Sequence, residues 1–339
     1  MEGEMPKTVA SYWEPLEDEK VKCTLCPRDC IIPNGGRGFC LVRVNEGGTL
    51  YTTVYAEITS ANYDPVEKKP LYHFYPGSAI FSIGTNGCNL DCKSCQNWEI
   101  SRRDTPYLRQ VFTPEMAVEY AKRYGSIGIA YTYNDPIVWF EYVKDTAEKI
   151  KEAGLKNVMV TNGNMNINAL RELLPLIDAF NVDLKGMDKD YYLKFSSLPN
   201  PNVWQVCEEI KKAGKHLELT KLIVPGFEEF TPENFERYAR WIAENLGKDV
   251  PVHYSRFFPA YKLMNTPPTP VEVVDMAYDV SKEYLWYVYV GNVIEPERES
   301  TYCPRCGKLL VKRAGYNVEV LFTPDGKCPG CGRPVDFVF

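Results

Sequence analysis

From residue 80 onward, short apolar runs alternate with longer segments whose apolar residues recur at helical intervals. The runs predict buried strands at 80–84, 127–131, 158–161, 180–184, 217–224 and 252–257, with a weaker seventh candidate at 287–290. Helices are predicted between them, at 115–124, 137–153, 167–176, 203–213, 232–246 and 270–284. Strand-then-helix units favour a parallel sheet with right-handed crossovers. The pattern predicts an α/β fold, a partial (β/α)6 TIM-like barrel, because no GxGxxG sequence of a doubly wound sheet opens the first unit.

Three of the predicted helices begin after a Thr-Pro pair, at Thr113, Thr231 and Thr269. Threonine suits the N-cap and proline the first helical position, so each pair predicts a helix start. Glu272 follows Thr269 at the spacing of a capping box.

The segments on either side of this alternation differ in character. Residues 22–48 are rich in glycine and cysteine, and the β-branched and aromatic residues at 49–60 predict a strand. Cysteines return near the C-terminus. We therefore predict an N-terminal Cys-rich β subdomain at 1–78, the barrel at 79–299 and a four-cysteine module at 300–339. In such barrels, active sites lie on the loops that follow the carboxyl ends of the strands.

The overall charge and hydropathy exclude some classes of protein. A net charge of −6 disfavours a nucleic-acid partner. No apolar run approaches the roughly 18 residues that span a bilayer, so we expect no membrane segment. The first residues lack the apolar core of a secretory signal, which predicts a cytoplasmic protein.

Eleven of the twelve cysteines fall into three groups. In a reducing cytosol, clustered cysteines indicate metal sites more often than disulfides. The remaining residue, Cys207, follows Trp204-Gln205-Val206 at the start of a predicted helix and is expected to be a small core side chain.

The central group follows the first predicted barrel strand, with the spacing Cys88-x3-Cys92-x2-Cys95. Three thiolates can hold three corners of a [4Fe–4S] cluster, and with no fourth cysteine nearby one iron stays open to another ligand. Gly84 and Gly87 are expected to let the backbone turn sharply and approach the cluster. The alternative is a zinc site completed by a distant histidine or cysteine.

The two terminal groups contain four cysteines each. Paired Cys-Pro-x-Cys-Gly knuckles with a β-rich spacer, 309–311 and 318–322, resemble a zinc ribbon, with rubredoxin-like iron as the alternative. The expected zinc ligands are Cys303, Cys306, Cys328 and Cys331. The irregular spacing of the N-terminal group fits either zinc or an auxiliary iron–sulfur cluster, with the ligands Cys23, Cys26, Cys30 and Cys40.

The central motif resembles the CxxxCxxC signature of radical S-adenosylmethionine (SAM) enzymes, in the same strand context. Over its whole length the chain resembles the AmmeMemoRadiSam-system radical SAM enzymes, which are related to pyruvate formate-lyase activating enzymes. The matching stretches are KCTLCPRDC, GGRGFC, EKKPLYHFYPGS, GCNLDCKSCQNWEIS, YTYNDP, VTNGN, NVDLKG, SRFFPAYK, NTPPTP, YVYVGNV, CPRCG and CPGCG.

The resemblance implies that SAM chelates the open iron. One-electron reduction then cleaves SAM to methionine and a 5′-deoxyadenosyl radical, which takes a hydrogen atom from the substrate. It also implies an electron donor such as flavodoxin or ferredoxin and suggests a Memo-like partner protein.

The resemblance further indicates which residues bind SAM. YTYNDP lies where superfamily members often carry a turn for the SAM amino group, and it departs from a related YTYNEP pattern at Asp135. Asn134 and Asp135 are therefore candidate ligands, and a turn that caps the next helix is the alternative. TNGN and DLKG resemble SAM-contacting segments of glycyl-radical-enzyme activases, which adds Thr161, Asn162, Asp183 and Lys185.

The sixth strand supplies the last candidates. His253 is expected either to point into the SAM pocket or to be a hydrogen-bonded core histidine. Arg256 is a candidate clamp for a carboxylate or phosphate. A packing role is predicted for His73, before the first strand.

Three functions agree with these features. The first is a radical SAM enzyme that modifies a partner protein, and the second is one that acts on RNA or a small metabolite. The third is a non-catalytic iron–sulfur or zinc protein for electron transfer or binding, which the missing fourth cysteine of the central group disfavours.

Overall fold

The computed structural model describes residues 7–103, 105 and 108–339. Its first strands form two small antiparallel sheets. One contains β1 (Thr8–Val9), β5 (Arg43–Glu46) and β6 (Thr49–Thr52), and the other β2 (Trp13–Pro15), β3 (Val21–Cys23) and β4 (Cys30–Ile32). The single strand predicted at 49–60 is wrong, because the chain divides there into β6, β7 (Glu57–Ile58) and the start of β8 (Ser60–Pro65). Ala56 lies between them with a φ of 54°, a left-handed conformation that interrupts a strand.

The main sheet has eight strands, and β8 is its antiparallel edge strand. The other seven are parallel and lie side by side in chain order. They are β9 (Ala79–Gly84), β11 (Gly128–Tyr131), β12 (Lys156–Thr161), β13 (Ala179–Asp183), β14 (His216–Ile223), β15 (Val252–Arg256) and β16 (Val288–Gly291). Outside this sheet, β10 (Gln110–Val111) pairs with β7. The predicted α/β class is confirmed, and the weaker seventh strand candidate belongs to the sheet.

All six predicted helices are present, and the described residues contain three further helices that the sequence pattern missed. In order they are α1 (Trp98–Arg102), α2 (Pro114–Arg123), α3 (Phe140–Glu152), α4 (Ile167–Leu173), α5 (Lys189–Ser196), α6 (Val203–Lys212), α7 (Pro232–Asn245), α8 (Val271–Lys282) and α9 (Pro296–Glu299). Single 3₁₀ turns occupy Val66–Lys68, Pro136–Trp139 and Tyr261–Leu263.

Two of the three helix starts predicted from Thr-Pro pairs are capped as expected, and the third is not. Thr113 and Thr231 are confirmed as N-caps, since each side chain accepts a hydrogen bond from a backbone amide of its helix. The capping box at Thr269 is wrong, because α8 begins after Pro270 and its N-cap makes no side-chain hydrogen bond. Thr269 is fully buried, and its hydroxyl instead donates to the carbonyl of Ile223 at 2.6 Å.

The two faces of the sheet pack against different parts of the chain. Alternate strand residues such as Ile129 and Met159 join the large core that includes the helices. Their neighbours Ala130 and Val158 belong to a smaller core. That second core is completed by the segment before β9, through Val66, Leu71 and Phe74. This period-two division places the helices on one face and the 66–74 segment on the other.

The C-terminal module contains β17 (Thr301–Tyr302), β18 (Leu309–Ala314) and β19 (Asn317–Val320), which confirms the β-rich spacer. It docks on the 66–74 segment through the fully buried Arg313, whose guanidinium donates to the carbonyl of Tyr72 at 2.6 Å. Val338 exchanges backbone hydrogen bonds with His73 and Tyr75. Among the described helices, none is both long and apolar enough to cross a membrane.

Candidate active site

The three central cysteines lie on the loop between β9 and α1, at the carboxyl edge of the parallel sheet. Burial raises the pKa of Cys88, Cys92 and Cys95 above that of a free thiol. The neighbouring sulfurs raise the pKa of Cys88 and Cys92 further, which shows that the three cysteines lie close together. The amide of Leu90 donates to the Cys88 sulfur at 3.4 Å. Buried thiols become thiolates when a metal supplies positive charge, so this donor set fits an iron–sulfur cluster.

Two glycines allow this loop to pack tightly. Gly87 has a φ of 90°, and a Cβ atom there would lie 2.5 Å from the carbonyl oxygen of Cys40. At Gly84, a Cβ would lie 2.5 Å from the carbonyl oxygen of Thr132. Neither position has room for a side chain, so the loop is fixed between the N-terminal region and the loop after β11.

Asn134 is buried and holds the turn that leads to Cys88. Its side-chain oxygen accepts from the amide of Thr85 at 3.0 Å, and its nitrogen donates to the carbonyl of Gly87 at 2.8 Å. Both ends of the amide are therefore engaged with the cluster loop. These contacts make Asn134 a positioning residue for that loop.

Asp135 is also buried, and its carboxylate joins the loops after β11 and β12. It accepts from the amides of Ile137 at 3.0 Å and Asn162 at 2.7 Å, and from the hydroxyl of Thr161. The bond to Ile137 caps the 3₁₀ turn Pro136–Trp139, as the alternative interpretation of this turn required. Burial raises the pKa of Asp135 to about 6, and the nearby charge of Asp183 acts in the same direction.

Asn162 connects the loop after β12 to the cluster loop. Its side-chain nitrogen donates to the Asn89 side-chain oxygen at 2.8 Å, and Asn89 in turn donates to the carbonyl of Asn164 at 2.7 Å. Asn89 follows Cys88 directly, so this network of buried amides fixes the position of the first cluster cysteine. Asn89 was not among the residues predicted from the sequence, although its position inside the cysteine motif could have indicated it.

Asp183 and Lys185 form an ion pair of 2.7 Å after β13. Burial opposes the charge of Lys185, but the carboxylate of Asp183 and the sulfur of Cys92 offset this, and the pKa of Lys185 is raised. The pair therefore lies beside the central cysteines. Asp183 is about one-third exposed, with a relative side-chain exposure of 35%. Of the predicted SAM ligands, these two combine charge with proximity to Cys92.

The structure does not bring His253 to this edge. It is the second residue of β15, and its Nε2 lies 2.7 Å from a carboxylate oxygen of Glu218. The alternative interpretation, a hydrogen-bonded core histidine, describes these contacts. Arg256 lies at the other end of β15, where its Nε donates to the carbonyl of Thr269 at 2.6 Å.

All three histidines of the chain meet at Glu218, which is fully buried in the first half of β14. Glu218 accepts from His216 at 2.9 Å, from His253, and from the amides of Tyr72 and His73. His73 packs here as predicted, with its ring nitrogens bonded to Tyr289 and to the carbonyl of residue 336. This network lies beneath the C-terminal module rather than beside the cysteines.

The C-terminal cysteines converge on one point. The sulfurs of Cys303 and Cys331 lie 3.6 Å apart, as do those of Cys306 and Cys328. A single tetrahedral ion with metal–sulfur bonds of about 2.3 Å spaces its thiolates about 3.8 Å apart. The predicted four-cysteine metal site is therefore present.

A cavity of about 460 Å³ lies beside the cluster loop, between the loops after β13 and β14. Phe227 lines it and lies 5.2 Å beneath the ammonium group of Lys93 in the cluster loop. In the described part of the chain, the hydroxyl of Tyr191 and one oxygen of Glu228 are buried here without a hydrogen-bond partner. The cavity can therefore accept a polar ligand.

Comparison with known proteins agrees with this geometry. The sequence profile of the radical SAM superfamily matches residues 82–242, a span that begins in β9 and contains the three cysteines. Residues 82–242 belong to the radical SAM superfamily. Membership in this superfamily implies a [4Fe–4S] cluster and SAM as cofactors and supports an enzymatic role.

Relatives of this radical SAM protein include an uncharacterized protein of Methanocaldococcus jannaschii. It is 42% identical over 335 residues, which cover 97% of this chain and 99% of the relative. The pyruvate formate-lyase-activating enzyme of Staphylococcus aureus is 22% identical over 162 residues, 43% of this chain and 62% of that enzyme. The chain thus matches less than two thirds of the activating enzyme's length.

Two solved structures have partly similar folds. A domain of pyruvate-formate lyase-activating enzyme from Bacteroides vulgatus aligns with a TM-score of 0.43 at 14% identity, over 49% of this chain and 99% of that domain. Streptococcus suis SuiB bound to S-adenosylmethionine aligns with a TM-score of 0.47 at 11% identity, over 65% of this chain and 50% of SuiB.

Proposed function

We propose that this protein cleaves SAM reductively and uses the resulting 5′-deoxyadenosyl radical to remove a hydrogen atom from a peptide or protein substrate. The proposal depends on one observation: three partly buried cysteines lie together at the carboxyl edge of the sheet without a fourth cysteine. The remaining cysteines lie in the two terminal groups or, for Cys207, in α6. A cluster on Cys88, Cys92 and Cys95 would keep one iron open for the amino and carboxylate groups of SAM.

The chain's own residues would divide the remaining work. Asn134 and Asp135, with Thr161 and Asn162, would hold the loop of Cys88 in place through the contacts described above. Lys185 would pair with the carboxylate of SAM, because its ammonium is held charged beside Cys92. Asp183, the partly exposed partner of Lys185, would accept from a hydroxyl or amino group of the same ligand.

A protein substrate is proposed from the similarity to pyruvate formate-lyase activating enzymes. The chain would belong to the AmmeMemoRadiSam group, with a Memo-like protein as partner and a flavodoxin or ferredoxin as electron donor. The alternative substrate is RNA or a small metabolite. This alternative would hold if incubation with SAM modified the RNA or the metabolite and left the partner protein unmodified.

The finer architecture is part of the same proposal. The sheet would curve into a partial barrel over residues 79–299, and its edge strands β8 and β16 are not paired with each other. Residues 1–78 would form the Cys-rich subdomain, of which residues 1–6 lie outside the described part of the chain. Residues 300–339 would form a ribbon with a structural zinc ion.

The deciding experiment is an anaerobic assay for 5′-deoxyadenosine after iron–sulfur reconstitution, with dithionite and SAM. The wild-type protein is expected to form 5′-deoxyadenosine. Cys92→Ala should lose this activity entirely, because two thiolates cannot retain the cluster. Cys207→Ala is the matched control, since it removes a buried cysteine from α6 and should keep SAM cleavage. SAM cleavage by Cys92→Ala would contradict the proposal.

A further inference from the structure

The four N-terminal cysteines surround one small cavity. Cys23 on β3 and Cys30 on β4 are paired across the two strands, and Cys26 lies in the loop between them. Cys40 approaches from the loop before β5, and all four line the same cavity. The other side is apolar and includes Ile137 and Val138 from the 3₁₀ turn after β11. The four thiols thus face a shared, nearly closed space.

Their sulfur atoms are spaced differently from those of the C-terminal group. Over residues 7–103, 105 and 108–339, the C-terminal group is the only set of three or more Cys, His, Asp or Glu side chains whose ligand atoms all lie within 4.8 Å of one another. No three of the N-terminal sulfurs are that close. A single zinc ion requires sulfurs about 3.8 Å apart, whereas a cubane binds each thiolate through a separate iron and holds them further apart.

The surroundings of this group suit a cluster that exchanges electrons with the central site. The guanidinium of Arg28 stacks 3.3 Å from the ring centre of Phe39 and donates to the carbonyl of Asn89, beside Cys88. On the same ring, Arg102 lies 4.4 Å from the centre and donates to the carbonyl of Cys88 at 3.1 Å. The two groups of cysteines are therefore separated by only a few side chains.

A buried arginine also places positive charge beside the N-terminal cysteines. Arg43, with 1% of its surface exposed, lines the cavity and pairs with Glu141 at 2.7 Å. Its guanidinium would offset part of the negative charge of an iron–sulfur site in this cavity.

We infer that Cys23, Cys26, Cys30 and Cys40 bind a second [4Fe–4S] cluster, which passes electrons to the central cluster. All four irons are bound by cysteine, so no iron is open and the cluster serves electron transfer. The external one-electron donor is oxidised by one electron, the second cluster is reduced and then reoxidised, and the central cluster gains that electron. The relay depends on the proposed function, but the identity of the metal does not.

The first test is the metal and sulfide content of the wild-type protein after anaerobic reconstitution with ⁵⁷Fe. About eight iron, eight sulfide and one zinc per chain are expected. About four iron and two zinc would overturn the inference. The Cys88→Ala, Cys92→Ala, Cys95→Ala triple variant should retain about four iron, with a Mössbauer spectrum of a cubane cluster. This result is independent of SAM cleavage, so it separates failure of the inference from failure of the proposed function.

A second test concerns the relay. Cys26→Ser should slow reduction of the central cluster by reduced flavodoxin at least tenfold, because the proposed relay loses one of its cluster ligands. SAM cleavage driven by photoreduced deazaflavin, a small molecule that reaches the central cluster directly, should keep its wild-type rate. Equal flavodoxin-driven rates in the two proteins would overturn the relay.

Discussion

Two buried carboxylates at opposite ends of the sheet have pKa values shifted in opposite directions. Asp135, at the carboxyl edge, has its pKa raised to about 6 by burial. Glu218, in the first half of β14, is more deeply buried, yet its pKa is well below its usual range. Burial also opposes the charge of Glu218, but hydrogen bonds from His216 and His253 offset it. The nature of the partners, rather than burial, decides whether the charge is tolerated.

The difference separates a site that can bind a ligand from one that is already complete. Asp135 receives its hydrogen bonds from neutral groups, so its carboxylate has no cationic hydrogen-bond partner. SAM carries a sulfonium and an amino group, and such a cationic ligand would balance that charge. Glu218 has all of its acceptor positions occupied by ring nitrogens and amides. We therefore expect substitutions at the two places to affect different properties.

The largest expected effect is on stability, from Glu218→Gln. Glutamine fills the same volume but removes the charge and turns one acceptor into a donor that faces other donors. We expect the free energy of unfolding to fall by about 3 kcal/mol, typical of a broken buried pair. The measurement is urea unfolding under anaerobic conditions. The matched control is Glu172→Gln, whose ion pair with Lys144 is exposed and should contribute less than about 1 kcal/mol.

The same Glu218→Gln protein should cleave SAM at the wild-type rate well below its unfolding temperature. A selective loss of cleavage, with stability unchanged, would mean that the histidine network belongs to the active site. That result would restore His253 as a SAM-pocket residue.

The positions of the strands and of the loops at the carboxyl edge could largely be predicted from the sequence. Parallel strands must end at a common edge, so the motif of Cys88 and the loops containing Asp135 and Asp183 were expected to meet. Strand positions followed from apolar runs because β9 and β11 to β16 are buried on both faces.

What sequence could not give was the pairing of distant polar side chains. His253 lies in the same strand as Arg256, and nothing local indicates that it bonds Glu218 on the neighbouring strand. Thr269 precedes a proline and matches a capping box, but its hydroxyl donates to the carbonyl of Ile223, which is distant in sequence. The sequence likewise does not indicate the left-handed conformation of Ala56, because the surrounding residues favour strands.

The second largest expected effect is a loss of catalytic efficiency in Lys185→Met. Methionine keeps much of the chain length but removes the charge that would pair with the SAM carboxylate. We expect kcat/KM for SAM cleavage to fall roughly 100-fold, which corresponds to about 2.7 kcal/mol. Unfolding in urea should change by less than about 1 kcal/mol. Lys212→Met, at an exposed position of α6, is the control and should leave cleavage intact. An unchanged kcat/KM in Lys185→Met would remove Lys185 from the SAM site.

The smallest effect is a pH dependence of stability from His73. Burial lowers the pKa of this histidine to about 3, whereas in the unfolded chain it titrates near 6.5. Between these values the unfolded chain binds a proton that the folded protein does not, so stability falls as the pH is lowered through about 6.5 and stops falling near 3. From pH 7 to pH 5 His73 is expected to lower the stability by about 2 kcal/mol, since each pH unit below 6.5 costs about 1.4 kcal/mol. Asp135, whose pKa is raised to about 6, acts in the opposite direction over this range, so the contribution of His73 is the difference in slope between the wild-type protein and His73→Gln.

Urea midpoints measured between pH 7 and pH 5 test this directly. His73→Gln should be less stable at pH 7, because it disturbs the bonds to Tyr289 and to residue 336, but its stability should depend less on pH. Glu218 stays ionised throughout this range because its pKa lies well below it, so its charge adds no slope. An equally steep pH dependence in wild type and variant would show that His73 is protonated in the folded protein. The histidine network would then be open to solvent, and the contrast with the carboxyl edge would fail.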